Sequence, residues 1–200
     1  MIADPTRILD GLVPPRHDVS GRPQPGEYAA YFSDDIAAVR GDDIVATLEQ
    51  QAADMIDLFR HVVDADIAGS RYAPGKWTVK EVIGHMVDDE RIFSYRALCV
   101  ARGEAMPLPS FEQDDYQRHA RHEERSLRSL LREYVAVRNA SLFVFWPLCR
   151  DEWLRRGVVA GYSATVRGLA YHIAGHELRH MRALRSAYLP RCPTHGGKLP

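Results

Sequence analysis

Cysteine is scarce and poorly spaced. Cys99, Cys149 and Cys192 make an odd set without a CxxC pair, which argues against a disulfide framework and points to a reducing interior. Charge of one sign is lacking too. A net charge of -1 with a pI near 6.8 leaves no basic surplus for nucleic acid or an anionic membrane. Long hydrophobic runs are missing, and Met1 to Pro15 carries charges and prolines where a signal peptide needs an apolar core. The expectation is a soluble, cytoplasmic protein with no nucleic-acid or membrane partner. No Gly-rich phosphate loop and no GxSxG elbow occurs. Cys99 and Cys149 therefore read as small buried hydrophobes, not nucleophiles.

What is present is 200 residues with 46% hydrophobic content, enough for one core without staples. Residues 1–41, rich in proline, glycine and charge (Pro14-Pro15, Pro23, Pro25-Gly26), disfavour a packed helix and read as an arm lying on the domain. From Asp42 to about Ala65, Ile44, Leu48, Ala52, Met55, Ile56 and Phe59 recur at three and four, predicting a first amphipathic helix. Thr78-Val-Lys-Glu81 is a capping box that opens a second, to about Gly103. Ser126 to Trp146 repeats the pattern, and Pro147 stops it. After a turn over Gly157 to Gly161, Ser163 or Thr165 caps a fourth helix to about Tyr188. Strand alternation is scarce. The reading is an all-α four-helix bundle over 42–190 with a tail at 191–200.

The fourth helix carries the densest chemistry: His172-Ile-Ala-Gly-His176-Glu-Leu-Arg-His180. Residues four apart differ by only about 40° around a helix. With Leu169 as zero, Ile173, His176, His180 and Leu184 fall at roughly 40°, -20°, 20° and 60°, so both histidines lie inside the apolar stripe. A lone buried imidazole is ordinarily a hydrogen-bonded core residue. Two on one seam look for a third donor, since catalytic zinc commonly has three protein ligands and one open position. His85 is that candidate, on the inward stripe of the second helix with Val82, Ile92 and Val100. Asp89 and Arg96 share this seam, either as a partly solvated ion pair or as pocket residues.

His172, at the stripe's edge, reads as a non-ligand, either a hydrogen-bond donor behind the ligands or a plain surface imidazole, with a fourth ligand as the alternative. Gly168 and Gly175 allow close helix contact or leave room beside the histidines. Leu178 and Met181 face away, leaving apolar surface for another helix or a second subunit. His61, His119 and His122 read as surface. His176-Glu-Leu-Arg-His180 also matches the zincin string HExxH, but no Asp or Glu follows Glu177 and the only later histidine is His195. A di-iron bundle would need a second Glu-x-x-His unit, which is missing.

Arg71-Tyr-Ala-Pro-Gly-Lys-Trp77-Thr-Val-Lys-Glu81-Val-Ile-Gly-His85, Phe93-Ser-Tyr95-Arg96-Ala-Leu98, Ala101-Arg102-Gly103, Pro107-Leu-Pro-Ser-Phe111 and Gly175-His176-Glu-Leu-Arg-His180 together resemble the DinB superfamily, in its YfiT-like branch, over most of residues 27–190. The resemblance implies a four-helix bundle, often a homodimer, with a divalent metal on three histidines, which fall here on His85, His176 and His180. Many relatives carry a further histidine where this chain has Arg179. Some branches resemble transferases using bacillithiol, mycothiol or glutathione; others are called metal-dependent hydrolases. The expected function is thus a metal-dependent enzyme, with Zn or Ni activating a low-molecular-weight thiol or water against a small-molecule substrate. Arg96 would orient an anionic substrate, and Asp89 would orient a ligand or accept a proton. The alternative is a metal-stabilised binding bundle without turnover.

Overall fold

The computed structural model describes residues 21–67 and 69–189. The start of the arm and the 191–200 tail, with Cys192 and His195, lie outside the described residues. Each of four long helices starts where a side chain caps it. Asp43 accepts the Ala46 N–H at the head of α2 (Ile44–Leu58), and α3 (Asp64–Ile67) follows as a single turn. Thr78 and Glu81 form the expected capping box on α4 (Val79–Ala101). After the short α5 (Gln113–His119), Ser126 caps α6 (Leu127–Phe145). Beyond α7 (Arg150–Leu154), Thr165 caps α8 (Val166–Ala183), which runs on as a π-helical turn over Leu184–Tyr188. Each such cap is worth about 1 kcal/mol.

α4 packs on α6 and α8, and α2 packs on the same two. Two apolar clusters fill the bundle. One holds Phe93, Phe145, Trp153, Tyr171 and Ile173; the other holds Met55, Ile83, Leu130, Tyr134 and Met181. Along their helices, Gln51, Asp89-Glu90, Arg138 and His176-Glu177 lie between the residues feeding these clusters, and all are buried. A polar layer therefore crosses the middle of an otherwise apolar bundle. Buried polar groups need partners; the charged members here pair with one another, and Gln51 donates to Ala174 O at 2.8 Å.

Several details differ from the sequence expectations. The first helix stops at Leu58, short of the expected end, and Asp64 opens a separate turn; its carboxylate accepts the Leu127 N–H at 2.7 Å and pairs with Lys80 at 3.1 Å. Residues 156–165 form a hairpin, β1 (Arg156–Val159) against β2 (Tyr162–Thr165), around Ala160 and Gly161. Both turn residues have positive φ, 49° and 85°, as a two-residue I′ turn requires. Strands of four residues are too short to display a convincing period. Leu108 donates its N–H to Val158 O and accepts the Ala160 N–H, pinning the loop after α4 to this hairpin.

The arm, expected without a packed helix, carries a 3-10 turn (Ala30–Phe32) and α1 (Ser33–Ala38), which packs on α8. Glu27 anchors it through a two-pronged pair with Arg167 and the Thr165 hydroxyl. The glycines of α8 make the contact possible. A Cβ on Gly168 would lie 2.1 Å from Glu27 O, and one on Gly175 would lie 2.3 Å from Asp35 O. Gly→Ala in a helix normally gains about 1 kcal/mol. Here the added carbon meets backbone, so Gly175→Ala is expected to cost about 1–3 kcal/mol, read from the urea midpoint; a stabilised variant would contradict this packing.

Met181 is buried in the chain's own core and Leu178, partly buried, packs against it, the first of the two outcomes expected for this face. Cys149 is exposed and Cys99 only partly buried, correcting the buried-hydrophobe reading; Cys149 sits at the solvated start of α7. His122, expected on the surface, is buried against Gly84, where a Cβ would come within 2.3 Å of its ring. No helix among the described residues is long and apolar enough to cross a membrane.

Candidate metal centre

The structure brings His85, His176 and His180 together. Nε2 of His176 lies 3.0 Å from Nε2 of His85 and 3.1 Å from Nε2 of His180, and one ligand atom from each ring falls within a 4.8 Å set. Donors at about 2.0–2.1 Å around a tetrahedral zinc stand roughly 3.3 Å apart, so the spacing suits a single divalent ion. Burial pushes all three rings toward the neutral form: His85 and His176 lie below the usual imidazole range, and His180 is lowered to about 3. Neutral rings keep a lone pair for a metal.

Asp89 decides which nitrogen of His176 carries the proton. Its Oδ2 sits 3.3 Å from His176 Nδ1 and 3.2 Å from His172 Nε2. Burial alone would raise this carboxyl, but the two facing rings more than offset it and hold it well below the usual carboxylate range. An ionised Asp89 beside Nδ1 of His176 favours the proton on that nitrogen and leaves Nε2 with its lone pair toward the other two histidines. The Nε2 atoms of His85 and His180 both converge on that lone pair, and a shared cation would satisfy all three rings. His172 is clamped between Phe32 and Phe93, with ring centroids 3.9 and 3.8 Å away. From there it steadies Asp89. Asp89→Asn should weaken divalent-metal affinity about 10–100-fold, measured by competition against a chromophoric chelator; unchanged affinity would remove Asp89 from this role.

A cavity of about 390 Å³ opens on the His176 side of the cluster, lined also by Asp89, Arg96, Phe111, His172 and Arg179. Among the described residues Arg96 makes no ion pair with Asp89. It donates instead to Pro109 O at 2.7 Å and lies over Phe93 and Phe111. Arg179, where a further histidine was the family expectation, pairs with Asp35 at 3.1 Å. Tyr31 and Phe32 reach the cavity from the arm, a contribution for which the sequence held no signal.

Glu177 faces α6. Its Oε1 accepts the Tyr134 hydroxyl at 2.8 Å and its Oε2 pairs with Arg138. Arg138 also grips Glu90 through two nitrogens, at 2.7 and 3.0 Å, and donates to Leu48 O at 2.6 Å. The glutamate of the HExxH string is therefore committed to a buried ion cluster, which removes the base a zincin needs. Arg138 was missed in the sequence. Its place four residues after Tyr134, on the inward stripe, was the available signal.

The DinB superfamily profile matches residues 47–184. The chain belongs to the DinB superfamily. A solved structure, YfiT from Bacillus subtilis, superposes with a TM-score of 0.66 at 14% identity, covering 84% of this chain and 92% of that one. That protein is described as a probable metal-dependent hydrolase with an unusual four-helix bundle topology. At such identity the likeness shows the fold, and this DinB-superfamily chain shares it. No curated protein matches the chain.

Proposed function

We infer that this DinB-superfamily protein is a divalent-metal-dependent enzyme acting on a small molecule, with His85, His176 and His180 as the ligands. The observation carrying this reading is that the three-imidazole cluster and the cavity share His176. An ion held by three protein donors would keep a fourth position for a substrate or water. An all-imidazole set suits Zn or Ni. The chemistry supplied by such an ion is Lewis acidity, which makes a thiol or water nucleophilic near neutral pH.

The chain's own residues do the rest. Asp89 holds the tautomer of His176, and His172 holds Asp89. Phe32, Phe93 and Phe111 give the cavity one apolar wall, against which charge interactions are less screened than in open water. The reaction proposed first is S-transfer from a low-molecular-weight thiol to an electrophile. Hydrolysis is the second reading, favoured by the description of YfiT.

A panel of such thiols with electrophiles, and of esters and amides, each run with and without chelator, tests both. Chelator-sensitive conjugation supports S-transfer, and chelator-sensitive cleavage supports hydrolysis. Silence in every arm, from protein that carries its ion, would leave a metal-stabilised binding bundle and contradict the enzyme reading.

A further inference from the structure

Arg96 is a buried cation without a counter-ion. Only 4% of it is exposed, yet among the described residues it enters no ion pair. Of its five N–H donors, one bonds to Pro109 O, and the guanidinium lies 4.7 Å from the Phe93 ring centroid and 5.5 Å from that of Phe111. The acids nearby are engaged or solvated. Asp89 serves two imidazoles, Asp35 pairs with Arg179, and Glu112 on the cavity wall is exposed. Burying a charge without a partner is costly, and Arg96 is among the residues that line the cavity.

The cavity has one aromatic wall, and Asp89, Ser110, Gln113, His172 and His176 supply polar lining beside it. Tyr31, Phe32, Phe93 and Phe111 form the aromatic wall, and about 390 Å³ is at the small end for ligand pockets. A guanidinium offers a planar fork that matches a carboxylate with two parallel hydrogen bonds. With the ion's charge left to the histidine side of the site, the single positive charge of Arg96 matches one carboxylate at this end of the cavity. A phosphate dianion would leave a negative charge unbalanced close to ionised Asp89. Arg179 cannot supply the difference, because it is exposed and already paired, and such rim charges are worth little.

We propose that the cavity selects small organic monocarboxylates with an aromatic body, the carboxylate on Arg96 and the body against the aromatic wall. This rests on the reading of the same cavity as a substrate site, and it gives that site a substrate class. Arg96 is then a substrate-binding residue that fixes which end of the molecule points away from the histidines.

The test is equilibrium binding to the full chain by calorimetry or ligand-observed NMR, with benzoate, phenylacetate, neutral benzamide and inorganic phosphate as probes. It is run on metal-loaded and on chelator-treated protein. Benzoate or phenylacetate should bind at least about tenfold tighter than benzamide in both states, and phosphate should bind more weakly than either. Arg96→Gln should bring benzoate down to the level of benzamide, while Arg96→Lys should keep part of the preference.

Equal binding of benzoate and benzamide to the wild-type protein overturns the proposal, with no variant required. So does a preference that survives in folded Arg96→Gln, tighter binding of phosphate, or carboxylate affinity that vanishes with the metal, which would place the anion on the ion instead. Metal content measured on the same samples separates the two readings. A loaded ion without carboxylate preference defeats only the substrate class, and carboxylate preference in protein that takes up no ion defeats only the enzyme.

Discussion

Arg138→Met should lower stability by about 3–5 kcal/mol, the cost of leaving buried charge uncompensated. Arg138 is fully buried, and the two carboxylates it serves, Glu90 and Glu177, are each 3% exposed. Methionine fills much of the volume but donates nothing, so two negative groups would remain in the core with the Tyr134 hydroxyl as their chief partner. At about 2–4 °C per kcal/mol for a chain of this length, the Tm should fall by roughly 6–20 °C. Replacing the cluster whole, as Arg138→Met with Glu90→Leu and Glu177→Leu, should recover most of that loss, because desolvation of all three charges disappears together. The two results separate a structural ion cluster from a stabilising one. A single variant costing under about 1 kcal/mol would show that this layer is hydrated, contrary to its burial. The arginine also ties α4 and α8 to α6, the two tied helices being those that bring the three histidines together, so the single variant should bind metal more weakly as well.

Acid should destabilise the metal-free protein steeply from about pH 6.5 downward. The sign follows from proton counting. Unfolded imidazoles take up a proton near pH 6.5, whereas burial holds His85, His176 and His180 neutral to lower pH, in His180 to about 3. Between those limits the unfolded chain binds more protons than the folded one, so stability falls as pH falls. Each ring contributes up to about 1.4 kcal/mol per pH unit. Asp89 acts in the same direction at lower pH: its depressed carboxyl stabilises the fold above about pH 4, and that contribution is lost on further acidification. Urea midpoints at pH 7.5, 6 and 5 in the presence of chelator measure the slope. His180→Ala should flatten it, and a stability that is level from pH 7.5 to 5 would mean the rings are solvated.

The parts of this fold legible in the sequence were those set by local chemistry. Thr78 with Glu81 caps its helix where the spacing placed it, and Thr165 does so as one of the two candidates read there, because a cap involves residues only three apart. His85, Asp89, Arg96, His176 and His180 could be placed on inward stripes because helical periodicity is also local. The meeting of His85 with His176, 91 residues apart, was open to the sequence as a candidate from their inward stripes, and the family resemblance pointed to the same pair. Arg138 with Glu90 and Glu177 lacked such support. Charged residues on a helix ordinarily face water, and only tertiary packing shows that these three face one another. The arm misled for a related reason. Prolines and glycines mark where a helix cannot continue, but α1 fits between them, and its place beside α8 depends on missing Cβ atoms at Gly168 and Gly175. The hairpin at 156–165 is fixed by its turn and by Leu108, neither of which alternation reveals.

The central claim is that three imidazoles hold one divalent ion. Titrating tag-free, chelator-stripped protein with Zn²⁺ or Ni²⁺, followed by elemental analysis after desalting, tests it most directly. The account predicts one ion per chain, with His85→Ala and His176→Ala each weakening binding on the order of 10²–10³-fold, since about 10–16 kcal/mol is shared among the donors of a zinc site. Wild-type protein that takes up no ion, or a His85→Ala variant that retains full affinity, would contradict it.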